Sequence, residues 1–196
     1  MAQNGPQIVL LAGPNGAGKS TMAPRLLRGA LGLAEFINAD VIAQGLSAFN
    51  PDDAALMAGR AMLERATALA QRGVSFAFET TLASRSLVRH IQDWRQFGYR
   101  LHIVFLWLPD PEAAVARVRA RAALGGHGVP EATITRRYRR GLSNLFLLYQ
   151  ELATTWRVYD NSGKRPRLIA AGRCECPARV RDQAAWSRIL ELAKHA

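Results

Sequence analysis

Cysteine is nearly missing from this chain of 196 residues: Cys174 and Cys176 are all there is, one residue apart. They are too close together for the usual disulfide and too few for zinc, which excludes a disulfide-stapled fold and a zinc module. Long apolar runs are missing as well, and without about eighteen unbroken apolar residues no membrane span is expected. Residues 1–7 carry no basic n-region, so the apolar run behind them is expected to be a strand and not a signal peptide, with the cytoplasm as compartment. Acidic side chains are scarce, 15 against 26 basic ones, which leaves a net charge of +11. Lysine is scarcer still, three against twenty-three arginines, a balance that favours forked, phosphate-matched contacts over diffuse attraction. That charge suits nucleic acid and phosphorylated small molecules alike. Internal repeats and long linkers are absent too, so residues 1–196 are expected to form one domain, with 49% apolar residues to fill its core.

What is present is concentrated near the start. Ile8-Val9-Leu10-Leu11-Ala12 is followed by Gly13-Pro14-Asn15-Gly16-Ala17-Gly18-Lys19-Ser20-Thr21, which fits G-x-x-x-x-G-K-[ST] at every fixed position. A strand-length apolar run precedes the pattern and a helix-compatible segment, 21–31, follows it. This is the context a P-loop needs. Its glycines let the backbone turn N–H groups inward around phosphate oxygens, above the donors of the next helix. Lys19 reaches terminal phosphates as a point charge, and Ser20 offers a hydroxyl to Mg²⁺.

Further along, residues 35–39 read as a short strand that delivers Asp40 at its carboxyl end, where ligand chemistry gathers in open α/β sheets. The alternative makes Asp40 the N-cap of a helix over 41–46, with Asn38 as a turn residue. Asn50-Pro51-Asp52-Asp53 looks like the start of a helix over 54–71, with Leu56, Met62, Leu63 and Leu69 as its apolar face and Met57 also packing. Residues 74–78 read as a strand that ends in Glu79, Thr80 and Thr81, before a helix over 84–97 striped by Leu87, Ile91 and Trp94. The run 101–108 is the most continuous apolar stretch and reads as a strand covered on both faces, with His102 at its entry.

Arginines then crowd two helices, 112–123 and 134–149. Arg117, Arg119 and Arg121 precede the hinge-like Gly125-Gly126-His127-Gly128-Val129-Pro130, and Arg136, Arg137, Arg139 and Arg140 follow it. Like charges spaced four apart repel unless an anion visits them, so the hairpin over 112–140 is expected to be a lid that closes on phosphates. A fifth strand enters the turn Asp160-Asn161-Ser162-Gly163, whose Asn161, Ser162 or Gly163 is a candidate to line a nucleotide base. Residues 167–170 form a candidate edge strand. A last helix, 178–192, is expected to cover the sheet through Ala185, Trp186, Ile189 and Leu192, with Arg179, Arg181 and Asp182 as solvated surface.

The fold class expected is α/β: a P-loop nucleoside triphosphate hydrolase fold, a three-layer sandwich with a mainly parallel five-stranded sheet and a helical lid. The strand over 101–108 does not end in an acidic residue, no LSGGQ-type signature follows, and no N-K-x-D motif is present. Motor ATPases, ABC-type ATPases and GTPases are therefore disfavoured, which leaves the small metabolite or nucleotide kinases. Within these, GPNGAGKST, FINAD, FAFETT, the segment RVRARAALGGHGVPEATITRRYRRG and YDNS, spread over residues 7–163, together resemble the zeta-toxin-like P-loop kinases. That family uses ATP to phosphorylate the 3′-hydroxyl of UDP-N-acetylglucosamine. The resemblance implies that residues 13–21 and Asn161 hold ATP, that Ser20 holds Mg²⁺ and that Asp40 takes the acceptor's proton. It further implies that Glu79 and Thr80 order the acceptor or metal region, and that Arg119 or Arg121 and Arg136 or Arg137 clasp phosphates. The stretch Glu79-Thr80-Thr81-Leu82 lacks the glycine that follows the glutamate in the toxins, so the acceptor stays open: a nucleotide sugar or another hydroxyl-bearing small molecule. An antitoxin-like protein is an implied partner. The rival readings are a nucleic-acid-associated ATPase or polynucleotide-end kinase, and a nucleotide kinase.

Overall fold

The computed structural model describes residues 5–47, 54–126, 128–174 and 176–194. Its centre is β1 (Gln7–Ala12), an unbroken apolar strand buried on both faces. Parallel neighbours flank it, β3 (Phe76–Thr80) on one side and β4 (Arg100–Trp107) on the other. β2 (Glu35–Ile37) pairs with β3, and β5 (Thr155–Asp160) pairs with β4, both parallel. The expected five parallel strands are therefore present. Two antiparallel strands, β6 (Arg167–Arg173) and β7 (Arg179–Val180), extend them to a seven-stranded sheet of order β2-β3-β1-β4-β5-β6-β7.

The expected last helix is shortened by this extension. Residues 179 and 180 pair with β6, and the Arg181 and Asp182 N–H groups both donate to the Ile169 carbonyl. Asp182 is not simply solvated surface, because its Oδ1 accepts from the Ala185 N–H and starts α7 (Gln183–Lys194) there. The helix behind the P-loop differs as well. α1 spans Lys19–Ala23 and gives way to a π-helical stretch, Pro24–Ala30, where the Leu31 N–H reaches back to the Leu26 carbonyl. Pro24 brings no N–H to the ladder, and the wider turn absorbs the loss.

Helices cover the sheet. In α4 (Leu87–Gln96), Trp94 meets Phe76 and Phe78 edge-on at 5.6 and 6.0 Å between ring centroids. Trp186 of α7 stacks on Trp156 of β5 at 5.7 Å, so the tryptophans expected to pack do so. α2 (Ala39–Leu46) and α3 (Ala55–Gln71) meet through alanines, Ala43 against Ala54 and Ala58. Small residues fill that seam, so Leu56 and Met57, expected to pack, stand exposed, while Met62 and Leu63 pack on the core. The proposed cap over Asn50, Pro51, Asp52 and Asp53 lies outside the described residues.

α5 (Pro111–Ala123) and α6 (Glu131–Asn144), the latter running on as a π-helical stretch, Leu145–Tyr149, form the arginine-rich hairpin. Its root is core: Val118, Ile134 and Tyr138 are buried, and the Tyr138 hydroxyl donates to the Leu108 carbonyl at 2.7 Å. Toward its far end the hairpin leaves the body, with Leu124 at 90% exposure. α6 also grips the loop after β3. Asn144 Nδ2 donates to the Leu82 carbonyl at 2.7 Å, and the Tyr149 hydroxyl donates to the Ser84 carbonyl at 2.5 Å.

Candidate functional site

The site grows from the carboxyl ends of β1, β2 and β3. β1 releases the chain at Gly13, whose N–H donates across to the Thr80 carbonyl of β3 at 3.2 Å. Gly13 has φ +139° and lies against Leu106 of β4 so closely that a Cβ there would overlap the Leu106 carbonyl oxygen. Pro14, Asn15, Gly16 and Ala17 then curl, with the Ala17 N–H donating to the Pro14 carbonyl, and Gly18 opens α1. Inside the curl, Lys19 Nζ donates to the Gly13 and Pro14 carbonyls at 3.0 Å each. Burial pushes the Lys19 ammonium below its ordinary pKa, the carboxylates Glu79 and Asp40 pull it up, and Arg121 and Arg137 push it further down. Five of the expected site residues are thus close enough to feel one another.

Glu79 sits beside Leu11 in the sheet register. Its Oε2 accepts from Asn38 Nδ2 at 2.8 Å, and its carboxylate hydrogen-bonds the Ser20 hydroxyl. Burial raises its pKa, and this outweighs Lys19 and Ser20, which favour the charged form. Asp40 differs in kind. It stands exposed in the first turn of α2, and the cap is not Asp40, as the local alternative had it, but Asn38, whose Oδ1 accepts from the Asp40 and Val41 N–H groups. The Asp40 carboxylate is therefore left facing solvent. Thr80 turns its hydroxyl to the Leu82 N–H at 3.0 Å, and Ser20 and Thr21 lie at the exposed start of α1.

The arginines divide. Arg121 and Arg137 act on Lys19 from the hairpin, while Arg119 is paired with Glu131 across the two helices and Arg136 is exposed on α6. Arg117, expected among the lid arginines, instead clamps the turn after β5, with its guanidinium donating to the Asn161 and Ser162 carbonyls at 2.8 and 2.7 Å. Asn161 turns its Nδ2 to the Ala17 carbonyl at 2.6 Å, so its side chain braces the P-loop where it was expected to line a base. Asp160, buried at the end of β5, holds that turn: burial works to raise its pKa, but Ser162 and Arg167 outweigh it and keep the carboxyl below its ordinary value. Sequence reasoning missed Asn38, Arg117 and Asp160 as site supports. A capping residue one step past β2 is the signal for the first, and the other two show only in tertiary structure.

These residues fit a nucleoside triphosphate. The loop offers backbone N–H groups and an ammonium, and the buried Asn15 Oδ1 within it has no hydrogen-bond partner. Among the described residues no group of three or more His, Cys, Asp or Glu is placed to hold a metal. Mg²⁺ asks for less, since it keeps its waters and takes substrate phosphates plus one or two protein groups, here Ser20 with Glu79 beside it. A hollow of about 290 Å³ lined by Leu27, Arg28, Leu33 and Phe36 includes none of these residues.

Comparison with known proteins shows the family and the fold. The family model described as an AAA domain matches residues 8–142. An uncharacterized protein of Haemophilus influenzae is 28% identical over 130 residues, 66% of this chain and 91% of its own length. A chain of the crystal structure of AvrRxo1-ORF1:AvrRxo1-ORF2 with ATP superposes with a TM-score of 0.73 at 14% identity, covering 94% of this chain. This chain spans only 63% of that one. A structure of the PezAT chromosomal toxin–antitoxin system of Streptococcus pneumoniae gives a TM-score of 0.66 at 15% identity, over 98% of this chain and 89% of its own. At these identities the two structures share the fold.

Proposed function

The chain belongs to the AAA domain family, whose model it matches over residues 8–142, and from this we propose that it is an ATP-dependent phosphotransferase acting on a hydroxyl of a small molecule. One observation carries the reading: an exposed carboxylate, Asp40, stands at the mouth of a loop whose buried Lys19 also feels Glu79, Arg121 and Arg137.

Residues 13–20 bind the phosphate chain of ATP through backbone N–H groups and Lys19, and Ser20 takes the metal. Mg²⁺, when bound, neutralises charge on the phosphate oxygens. Asp40 accepts the proton of the acceptor hydroxyl as its oxygen bonds to the γ-phosphorus. The bond to the β–γ bridging oxygen breaks, and ADP leaves with the electron pair. Arg121 and Arg137 balance the charge that spreads over the moving phosphoryl group. The end of the hairpin beyond its buried root is the part able to close and exclude water, and Arg119 and Arg136 join the phosphates only if their present surroundings rearrange.

For the acceptor, the zeta-toxin-like motifs favour a nucleotide sugar such as UDP-N-acetylglucosamine. The fold shared with a structure of a toxin–antitoxin system supports an antitoxin-like partner that would cover this mouth. The test is transfer from ATP to a panel of nucleotide sugars, mononucleotides and free sugars, read by mass spectrometry. Asp40→Asn is expected to lower turnover by about 10²–10⁴ while leaving ATP affinity within about twofold. Loss of ATP binding with turnover per bound ATP unchanged would remove Asp40 from the role of base. ADP release without a phosphorylated product, stimulated by DNA, would move the protein to the nucleic-acid-associated ATPase reading, which its +11 charge also suits.

A further inference from the structure

Asn38 has both ends of its amide committed, and each end holds an element that carries a carboxylate. Oδ1 accepts from the Asp40 N–H at 2.8 Å and the Val41 N–H at 3.4 Å, which fixes the start of α2. Nδ2 donates to Glu79 Oε2 at 2.8 Å, forty-one residues away in sequence. The sheet sets up this meeting. β2 and β3 run parallel with Ile37 opposite Phe78, so the next step along the ladder brings Asn38 beside Glu79. The amide has only one satisfactory orientation, because the backbone N–H groups need its oxygen and the carboxylate needs its N–H₂.

The residue type follows from these demands. Ser, Thr, Asp and Asn all cap helices well. Of the four, only asparagine joins the capping acceptor to an N–H₂ donor. Aspartate would cap α2 and repel Glu79, and serine would cap α2 and fall short of it.

We infer that Asn38 is a positioning residue that keeps Asp40 and Glu79 in register across the mouth of the phosphate loop. The inference rests on the phosphotransferase reading above. It adds that the two carboxylates, one exposed and one half-buried, are aligned by a single side chain that acts through them.

Two measurements test it. Hydrogen exchange by NMR reads the bridge without any reaction: the Asn38 side-chain N–H₂ is expected to exchange slowly in the wild type and fast in Glu79→Ala. Kinetics read its use. Asn38→Ser keeps the cap and drops the bridge, so the Asp40 and Val41 amides stay protected and the melting temperature stays near that of the wild type. Its kcat is nevertheless expected to fall about tenfold or more, with the KM for ATP unchanged. Asn38→Asp, capped but repelling Glu79, should fall at least as far. The double variant Asn38→Ser with Glu79→Ala should lose no more than Glu79→Ala alone, since the two residues act as one unit. Fast Asn38 exchange in the wild type, full kcat in Asn38→Ser, or losses that simply multiply would each overturn the inference. A wild-type protein that transfers phosphate to no acceptor overturns the proposed function instead. Slow Asn38 exchange that Glu79→Ala abolishes would then still uphold the bridge.

Discussion

Glu79 is held in a place that works against its own charge. Burial raises its pKa above the ordinary 4.5, although Lys19 and Ser20 lean the other way. The folded state therefore binds its proton more tightly than the unfolded chain does. Stability falls as pH rises from about the ordinary value through the folded one, because ionisation is favoured more in the unfolded chain. Glu79→Gln removes that cost. The variant is expected to melt higher than the wild type at neutral pH, and the difference should close as pH drops below the ordinary carboxylate range, as followed by thermal denaturation across pH. A Gln variant that is less stable at pH 7 would mean that Lys19 and Asn38 outweigh burial at this carboxylate. Lys19, Ser20 and Asp40 were legible in sequence because their meaning lies in local spacing: a fixed pattern, or an acid directly after a strand. Asn38 and Arg117 were not, because a lone amide or guanidinium acquires its role only from partners 41 and 44 residues away.

At the scale of elements, α6 is where the sequence reading and the structure diverge most. A lid was expected over 112–140, yet the root of the hairpin is buried in the core and anchors the loop that follows Glu79. Gly141 makes that grip tight, since a Cβ there would overlap the Thr81 carbonyl oxygen. Gly141→Ala is therefore expected to destabilise the protein by about 1–3 kcal/mol in chemical denaturation, a small methyl acting as overpacking. The hairpin's arginines separate by position. Arg121→Ala and Arg137→Ala should each lower turnover by about 10²–10³, as loss of a charge-stabilising donor does elsewhere. Arg119→Ala removes an exposed pair with Glu131 and should change stability by no more than about 1 kcal/mol and leave turnover near that of the wild type. Comparing kcat for the three variants decides which arginines face the phosphates. Helical periodicity pairs Arg117 with Arg121 and Arg136 with Arg140, but which face turns toward Lys19 depends on how α5 and α6 dock, and a single helix's sequence does not contain that.

For the molecule as a whole, β1 to β4 were legible because each is a short strand-like run followed by a helix, and β5 because it enters a turn at Asp160. The antiparallel β6–β7 extension was only half seen. β7 is only two residues long, Arg179 and Val180, with Arg181 next in the chain, and it pairs only because β6 offers an open edge. Ligand linkage gives the global test of the site. At an ATP concentration one hundred times Kd, the folded state gains about 2.7 kcal/mol. For a chain of this size that raises the melting temperature by roughly 5–10 °C. Lys19→Ala should abolish the rise without lowering the unliganded melting temperature, because the buried ammonium is itself a cost. An undiminished rise in that variant would rule out residues 13–20 as the phosphate loop.

The central place of β1 sets the order in which a growing chain can fold. Ile8 leaves the ribosome well before its sheet partners, Phe76 and Leu101. Until residue 107 has emerged, the most apolar strand near the N-terminus lacks one or both of its neighbours. Synthesis at roughly 5–20 residues per second makes that an interval of many seconds. The nascent chain thus exposes a sticky edge throughout that interval. Its yield in the cell should depend on chaperones that shelter this segment more than on the stability of the finished sheet.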